Sequence, residues 1–195
     1  GVRNQRFLHH QLPADLAFYE REAARYAGCG LVFLLLPLNA ADSPRAAATI
    51  DRIAAGLRRC DYVLRWQGQH VLLVSRPLPA HAFATFCQRL HGRLLQLAAE
   101  AAEPAQAAGP IVLGACLHTL SVDAGRHWEA SIRIAEHALA LAIAEGKSWV
   151  GLQPLPAVDP GAALQALDAD RETALRGGNL LCLRGRRPTP PAART

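Results

Sequence analysis

An uninterrupted apolar segment, residues 31–36, constrains the fold of this 195-residue chain more than any other feature. It reads Leu31-Val32-Phe33-Leu34-Leu35-Leu36 and lies between Gly30 and Pro37. This is the length of a β-strand, and it is far too short for a membrane-spanning helix. Because it is apolar at every position, it suits a strand that is covered on both faces. The segment therefore favours a strand inside a layered α/β domain.

The other segments alternate between helical and strand patterns. Apolar residues at helical spacing predict three long helices, at about residues 13–27, 80–102 and 127–145. Short β-forming runs predict further strands, at about 62–64, 71–74, 111–117 and 148–152. Ser43-Pro44 is a plausible start for one more helix, before the hairpin of residues 62–74. The order predicts an α/β fold in which a central sheet of about five strands is flanked by helices.

The predicted hairpin carries the most informative pattern in the chain. Arg58 and Asp61 form an Arg-x-x-Asp pair before its first strand, and residues 67–71 on its turn read Gln-Gly-Gln-His-Val. This layout resembles the signature hairpin of GGDEF domains, the diguanylate cyclases of bacterial signalling, in which Gly-Gly-Asp/Glu-Glu-Phe occupies the turn. The resemblance implies a nucleotidyl-cyclase-like sandwich with a mostly antiparallel sheet.

Three further segments resemble motifs of the same family, in the family's order. Residues 1–8 resemble the end of its opening motif, and Gly114 stands at the glycine of its Thr-x-Ser-x-Gly strand. Residues 135–147 resemble Ala-Asp-x-Ala-Leu-Tyr-x-Ala-Lys-x-x-Gly-Arg. None of these motifs is intact, so the likeness lies in their order and spacing. We interpret the chain in three parts: a degenerate GGDEF domain at 1–152, a C-terminal extension with a helix and an edge strand at 153–187, and a disordered tail at 188–195.

The positions that would hold catalytic metals in the family carry no carboxylate. Pro37 stands where the resemblance places a metal-binding aspartate, and Gln69 and His70 replace the acidic pair of the turn. Magnesium prefers oxygen ligands, which proline and histidine do not offer. The guanine-binding segment that follows in the family is missing, and Ile143 replaces a phosphate-contacting lysine. The degenerate positions are Pro37, Gln67, Gly68, Gln69, His70 and Ile143. We therefore predict no cyclase activity, no bound metal and no cofactor.

One constellation of the family is retained. Arg58, Asp61 and Arg89 match the inhibitory site that, in the family, binds the product cyclic di-GMP. A guanidinium can bond bidentately to the N7/O6 edge of guanine or to phosphate, and a carboxylate can accept from the N1 and N2 donors of guanine. The alternative is a solvated ion pair at a helix end, which stabilises by under ~1 kcal/mol.

Composition argues against several other classes of protein. The net charge is +5, but much of the excess lies in the tail and no aromatic residues interleave it, so we expect no nucleic-acid partner. The five cysteines show no Cys-x-x-Cys spacing, which argues against a zinc site and favours reduced thiols in a reducing compartment. No apolar run is long enough to span a membrane, and we expect no membrane contact by this fragment.

The sequence leaves three functions open. The first is a catalytically inactive domain that binds cyclic di-GMP through Arg58, Asp61 and Arg89. The second is a domain that binds no nucleotide and serves dimerisation or a protein partner. The third is an enzyme that still cyclises GTP, for instance by pairing with an intact partner. In each case we expect a cytoplasmic output domain of a larger bacterial sensor, whose anchor can lie elsewhere in the parent protein.

Overall fold

The computed structural model describes residues 3–37, 51–55, 61–67, 70–101 and 111–186, with side chains described except at 98–101. The helices are α1 (Gln5–Arg21), α2 (which includes residues 51–55), α3 (Phe83–Ala101), α4 (Trp128–Glu145), α5 (Pro160–Ala169) and α6 (Arg171–Arg176). A 3₁₀ helix, Ala80–Ala82, precedes α3. The strands are β1 (Cys29–Pro37), β2 (Tyr62–Trp66), β3 (His70–Val74), β4 (Leu78–Pro79), β5 (Leu113–Thr119), β6 (Trp149–Pro154) and β7 (Leu180–Arg184).

The strands form one sheet in the order β2-β3-β1-β5-β6-β7, and β4 pairs with the beginning of β1. All neighbouring strands are antiparallel except β5 and β6, which are parallel. The α/β class and the flanking helices are confirmed. The strand count of about five is wrong: β4 is too short to show in the sequence pattern, and β7 brings the sheet to seven strands.

The central apolar segment forms β1, which is paired on both sides by β3 and β5. Its side chains alternate between two cores, as strand geometry requires. Leu31, Phe33 and Leu35 pack on the face covered by α1, α4 and α5. Val32 and Leu34 pack on the opposite face, with α3 and Ile53 of α2. A strand buried on both faces explains why this segment has no polar position.

Gly114 in β5 permits a very close approach of α4. A Cβ atom at this position would lie 2.2 Å from Leu139 N and 2.4 Å from Ala135 O, both backbone atoms of the helix. Real Cβ atoms essentially never come so close to backbone, so any side chain here displaces α4. The glycine that the sequence singled out therefore has a packing role in this chain.

The predicted boundaries of the first helix are wrong. The helix begins at Gln5, because Asn4 caps it by accepting a hydrogen bond from Phe7 N at 2.9 Å, and it continues through Pro13 to Arg21. Residues 22–28 are turns. Tyr26, whose spacing extended the predicted helix, instead packs its ring edge-on against Tyr19 at 4.9 Å from the turn.

The C-terminal extension contains two short helices where a single helix was predicted. Asp170 has extended backbone angles and separates α5 from α6. Its carboxylate accepts from Glu172 N at 3.0 Å and Thr173 N at 3.1 Å, and so caps α6. The strand predicted after this helix is β7, which pairs with β6. The predicted disordered tail, 188–195, lies outside the described residues.

Candidate functional site

Three side chains lie in a row where β1 ends and β3 begins. His70 is the cross-strand partner of Pro37 on one side and of Trp66 on the other. Each residue is two positions along its strand from a residue of the core that α1 and α4 cover, namely Leu35, Leu72 and Leu64. The three side chains therefore project from the same face of the sheet, toward α1 and α4.

The electrostatics of this row are those of a partly buried, weakly polar surface. The Nδ1 atom of His70 is buried and has no hydrogen-bond partner in the part of the chain that the structure describes. The indole of the neighbouring Trp66 does not donate a hydrogen bond to this nitrogen, because Trp66 Nε1 donates to Glu136 Oε1 of α4 at 3.3 Å. Pro37 has no side-chain acceptor to offer. A buried imidazole nitrogen left in this state reduces stability rather than increasing it.

These residues do not fit the magnesium site that the family resemblance implies. Magnesium requires near-octahedral oxygen ligands, and neither Pro37 nor His70 supplies one. Among the described residues, no group of three or more His, Cys, Asp or Glu side chains is placed to hold a metal ion. Gln67 is in the left-handed backbone region, with φ 46°. Gly68 and Gln69 lie outside the described residues.

Ile143, at the position of the family's lysine, lies near the end of α4 and is 59% exposed. Helix α4 leads into β6, whose Trp149 pairs with Leu113 at the start of β5. The start of β5 lies beside the end of β1, since Gly114 pairs with Leu35. Ile143 thus lies toward the same end of the sheet as Pro37, and it presents an apolar side chain there.

The predicted nucleotide-binding residues are only partly described. Arg58 lies outside the described residues. Asp61 precedes β2, and its Oδ1 accepts a hydrogen bond from Arg76 N at 3.0 Å. This bond fixes the chain before β2 to the chain after β3. Whether Asp61 also contacts a ligand, as the resemblance implies, stays a prediction.

Arg89 is exposed on α3, on the flank that faces away from β6. The opposite flank is marked by Gln88, which accepts from Trp149 Nε1 at 3.0 Å, and by His91, whose Nε2 lies 3.0 Å from Ile111 O. Helical spacing places Arg89 and Arg93 together on the other side. No hydrogen bond or ion pair within the described part of the chain joins Arg89 to Asp61. Arg89 is therefore an exposed side chain of α3, and its convergence with Asp61 stays a prediction.

Sequence reasoning missed Glu136 as the partner of Trp66. The signal was present, because Glu136 stands at the acidic position of the family's Ala-Asp motif. It also missed Asp15, which accepts a hydrogen bond from the hydroxyl of Tyr62 at the start of β2. Burial and this carboxylate raise the pKa of Tyr62, so the phenol stays protonated and anchors α1 to the hairpin.

A buried polar network lies at the other end of β5. His118 is 2% exposed; its Nδ1 lies 2.8 Å from Ser131 Oγ and its Nε2 lies 2.6 Å from Ala124 O. Burial lowers the pKa of His118, which keeps the ring neutral. Burial raises the pKa of the neighbouring Cys116 thiol to about 12, so that thiol is unreactive. The network ties the loop before α4 to the sheet.

A polar cavity of about 210 Å³ lies beside this network, where the parallel strands β5 and β6 end. Its charged lining residues are of both signs: Asp123, Arg126 and Asp159. Asp159 already caps α5 by accepting from Ala162 N at 3.1 Å. Because its charges are of both signs, the lining of this cavity does not indicate a particular class of ligand.

Comparison with solved structures shows the fold. The chain is similar to LapD from Vibrio cholerae, in a structure that comprises the S helix, GGDEF and EAL parts with c-di-GMP bound: the TM-score is 0.56 at 10% identity, over 88% of this chain and 40% of that one. It is also similar to the GGDEF domain of TpbB (YfiN) from Pseudomonas aeruginosa, with a TM-score of 0.43 at 17% identity, over 69% of this chain and 84% of that one. No family model and no curated protein matches the chain.

The fold is therefore that of a GGDEF-like domain, as the degenerate motifs predicted. The chain spans about 40% of the length of the LapD structure it matches. Identities this low show the fold and leave the chemistry to the residues of this chain. No helix in the described residues combines the length and apolarity needed to cross a bilayer.

Proposed function

We propose that this chain is a GGDEF-type domain without cyclase activity, which binds cyclic di-GMP in a bacterial signalling protein. The observation that carries the first part is the cross-strand pair of Pro37 and His70. The resemblance assigns this strand end to metal ligands. The side chain of Pro37 has no atom that can bind a metal, and the imidazole of His70 is not a hard oxygen donor. Cyclisation of GTP needs divalent cations to neutralise charge on the transferred phosphoryl group.

The second part of the proposal, binding of cyclic di-GMP, rests on charged side chains near the hairpin and on α3. Asp61 retains a carboxylate oxygen beside the first strand of the hairpin, and Arg89 presents an exposed guanidinium on α3. Arg58 completes the Arg-x-x-Asp pattern. Carboxylate and guanidinium groups match the donor edge of guanine and its N7/O6 edge, respectively. The LapD structure with c-di-GMP bound supports the signalling context, which we extend to this chain.

Calorimetric titration of the full chain with cyclic di-GMP tests this function. We expect saturable binding that weakens about 10- to 100-fold in Arg89→Ala, because a hydrogen bond to a charged group contributes ~1.5–3 kcal/mol. Arg93→Ala is the matched control, since it removes the same charge one turn further along the same flank of α3. It should leave the affinity within about twofold of wild type.

Asp61 needs a variant that separates its two roles. Asp61→Asn keeps an oxygen that can accept from Arg76 N but removes the negative charge that favours the donors of guanine. We expect this variant to fold normally and to bind cyclic di-GMP more weakly. The absence of binding heat at ~100 μM ligand, or equal heat from wild type and Arg58→Ala, would contradict the receptor proposal.

In this proposal the domain acts in the cytoplasm as the output part of a larger sensor. The alternative is a domain that serves only protein interaction, which predicts no binding heat with the dinucleotide from wild type or from any of the four variants.

A further inference from the structure

The two edges of the sheet differ in how they are covered. At the β2 edge, Arg3 N donates to Val63 O at 2.8 Å, and Arg3 forms a parallel bridge with Leu64. At the other edge, β7 is the last strand, and no strand among the described residues pairs with its outer side. A free strand edge is a template for pairing with another chain.

The hydrogen bonds between β6 and β7 show which backbone groups of β7 point outward. Gly185 N donates to Trp149 O at 2.8 Å, and Leu155 N donates to Asn179 O at 3.0 Å. In an antiparallel ladder, alternate residues bond to the same neighbour, so residues 179, 181, 183 and 185 face β6. The N–H and C=O groups of the intervening residues, Leu180, Cys182 and Arg184, therefore point away from the sheet.

The side chains of β7 do little to prevent pairing. Leu181 is 45% exposed, and Leu183 is partly buried on the α3 face. Cys182 is partly buried on the opposite face. The charge of Arg184 is already compensated, because its Nε and Nη2 atoms lie 2.7 and 3.0 Å from the carboxylate of Glu145. The strand has no proline, lysine or bulge, which are the usual means of protecting an edge.

We propose that two copies of this chain pair through the outer edges of β7, antiparallel about Cys182. The strand is self-complementary in this register. Cys182 lies opposite Cys182 of the second copy, and Leu180 lies opposite Arg184 on each side, so all outward backbone groups exchange hydrogen bonds. Leu181 of each copy faces Leu183 of the other and buries its exposed surface. The two Arg184 residues are about 13 Å apart along the strands, beyond the screening length at physiological salt.

The register makes a covalent test available. Directly opposite residues in a hydrogen-bonded antiparallel pair have Cα atoms about 5.5 Å apart, which lies within the range for disulfides. The test uses the full chain with Cys29 and Cys60 replaced by serine, so that they cannot form cross-links. Cys87 and Cys116 can stay, because they are 0% exposed and do not reach a second copy. Diamide is the oxidant: it takes up the two protons and two electrons that are released when two Cys182 thiols form a disulfide.

We expect diamide to give a reducible species of about twice the 20.9 kDa chain mass, and we expect Cys182→Ser to abolish it. Light scattering without oxidant should show a concentration-dependent dimer. Leu181→Lys should raise its dissociation constant tenfold or more, because the lysine loses the contact with Leu183. The matched control is Val122→Lys, which charges an apolar residue that is 74% exposed in the loop after β5, outside the proposed pairing edge, and should change nothing.

Circular dichroism of each variant establishes that it is folded. A monomer at every concentration together with no Cys182 cross-link would overturn the proposal. A dimer whose dissociation constant is the same in Leu181→Lys and wild type would overturn it equally, since that dimer would use another surface.

Discussion

Pro37, the last residue of β1, is paired across the sheet with His70, the first residue of β3. In the family that the chain resembles, this strand end supplies carboxylates to metal ions. Here the pair belongs to a row with Trp66, whose indole is committed to Glu136 of α4. The side chains of Pro37, His70 and Trp66 are rings, at a strand end where the resemblance predicts carboxylates.

The unpaired imidazole nitrogen of His70 predicts that His70→Leu stabilises the protein. The variant removes a buried polar atom that has no partner among the described residues, and we expect a gain of about 1 kcal/mol. His118→Leu is the matched contrast, because it leaves Ser131 Oγ and Ala124 O without their partner and should lose about 1–3 kcal/mol. Urea unfolding of both variants measures the difference, and a loss of stability in His70→Leu would contradict the prediction.

The pKa of His118 predicts how stability depends on pH. Burial holds this pKa below the ordinary value of about 6.5, so below that pH the unfolded chain binds a proton that the folded chain excludes. Stability should therefore be complete above about pH 7 and fall progressively as the pH falls below the ordinary histidine pKa of about 6.5. Unfolding free energies of wild type and His118→Gln across this range test it, with exposed His81→Gln as the control. The same slope in wild type and His118→Gln would assign the effect to other groups.

Glycine substitutions test the close approach of α4 to the sheet. Gly114→Ala places a Cβ against Leu139 N and Ala135 O, so we expect a loss of about 3 kcal/mol or more. Gly92→Ala, in the middle of α3, meets no atom within 4 Å and should gain about 0.5–1 kcal/mol through helix propensity. Thermal unfolding should move the two midpoints in opposite directions. A Gly114→Ala variant as stable as wild type would mean that α4 packs further from β5.

The ion pair between Arg184 of β7 and Glu145 of α4 is expected to contribute little to the stability of the protein. Its hydrogen bonds lower the pKa of Glu145, but both side chains are about one-third exposed, so we expect Arg184→Gln to cost no more than about 1 kcal/mol. Arg176→Gln breaks a pair with Glu172 that is about three-quarters exposed and should cost only a few tenths of a kcal/mol. Paired urea titrations compare them, and equal costs would show that the bidentate geometry adds nothing.

The sequence predicted the helices and strands whose residue pattern follows from burial. It did not predict helix boundaries that are set by local hydrogen bonds. Strand β1 was predictable because both of its faces are apolar. The start of α1 was not, because it depends on the Asn4 cap, and the helix continues through Pro13. The break at Asp170 has the same cause, since its carboxylate caps α6.

At the candidate site, the sequence predicts that Pro37 and His70 replace carboxylates, and this stays a prediction. It could not predict that Pro37 and His70 face each other, because that register follows from how β3 aligns on β1. The contact between Trp66 and Glu136 joins residues 70 positions apart, and it depends on how α4 packs across the sheet. Local spacing carries no information about such contacts.

The most direct test of the central claim is incubation of the full chain with GTP and Mg²⁺, and separately with Mn²⁺, followed by chromatographic measurement of cyclic di-GMP. An intact diguanylate cyclase serves as the positive control. With Pro37 and His70 in place of metal ligands, we predict no product above the level of a reaction without protein. Product formation that rises in proportion to the concentration of this chain would contradict the claim.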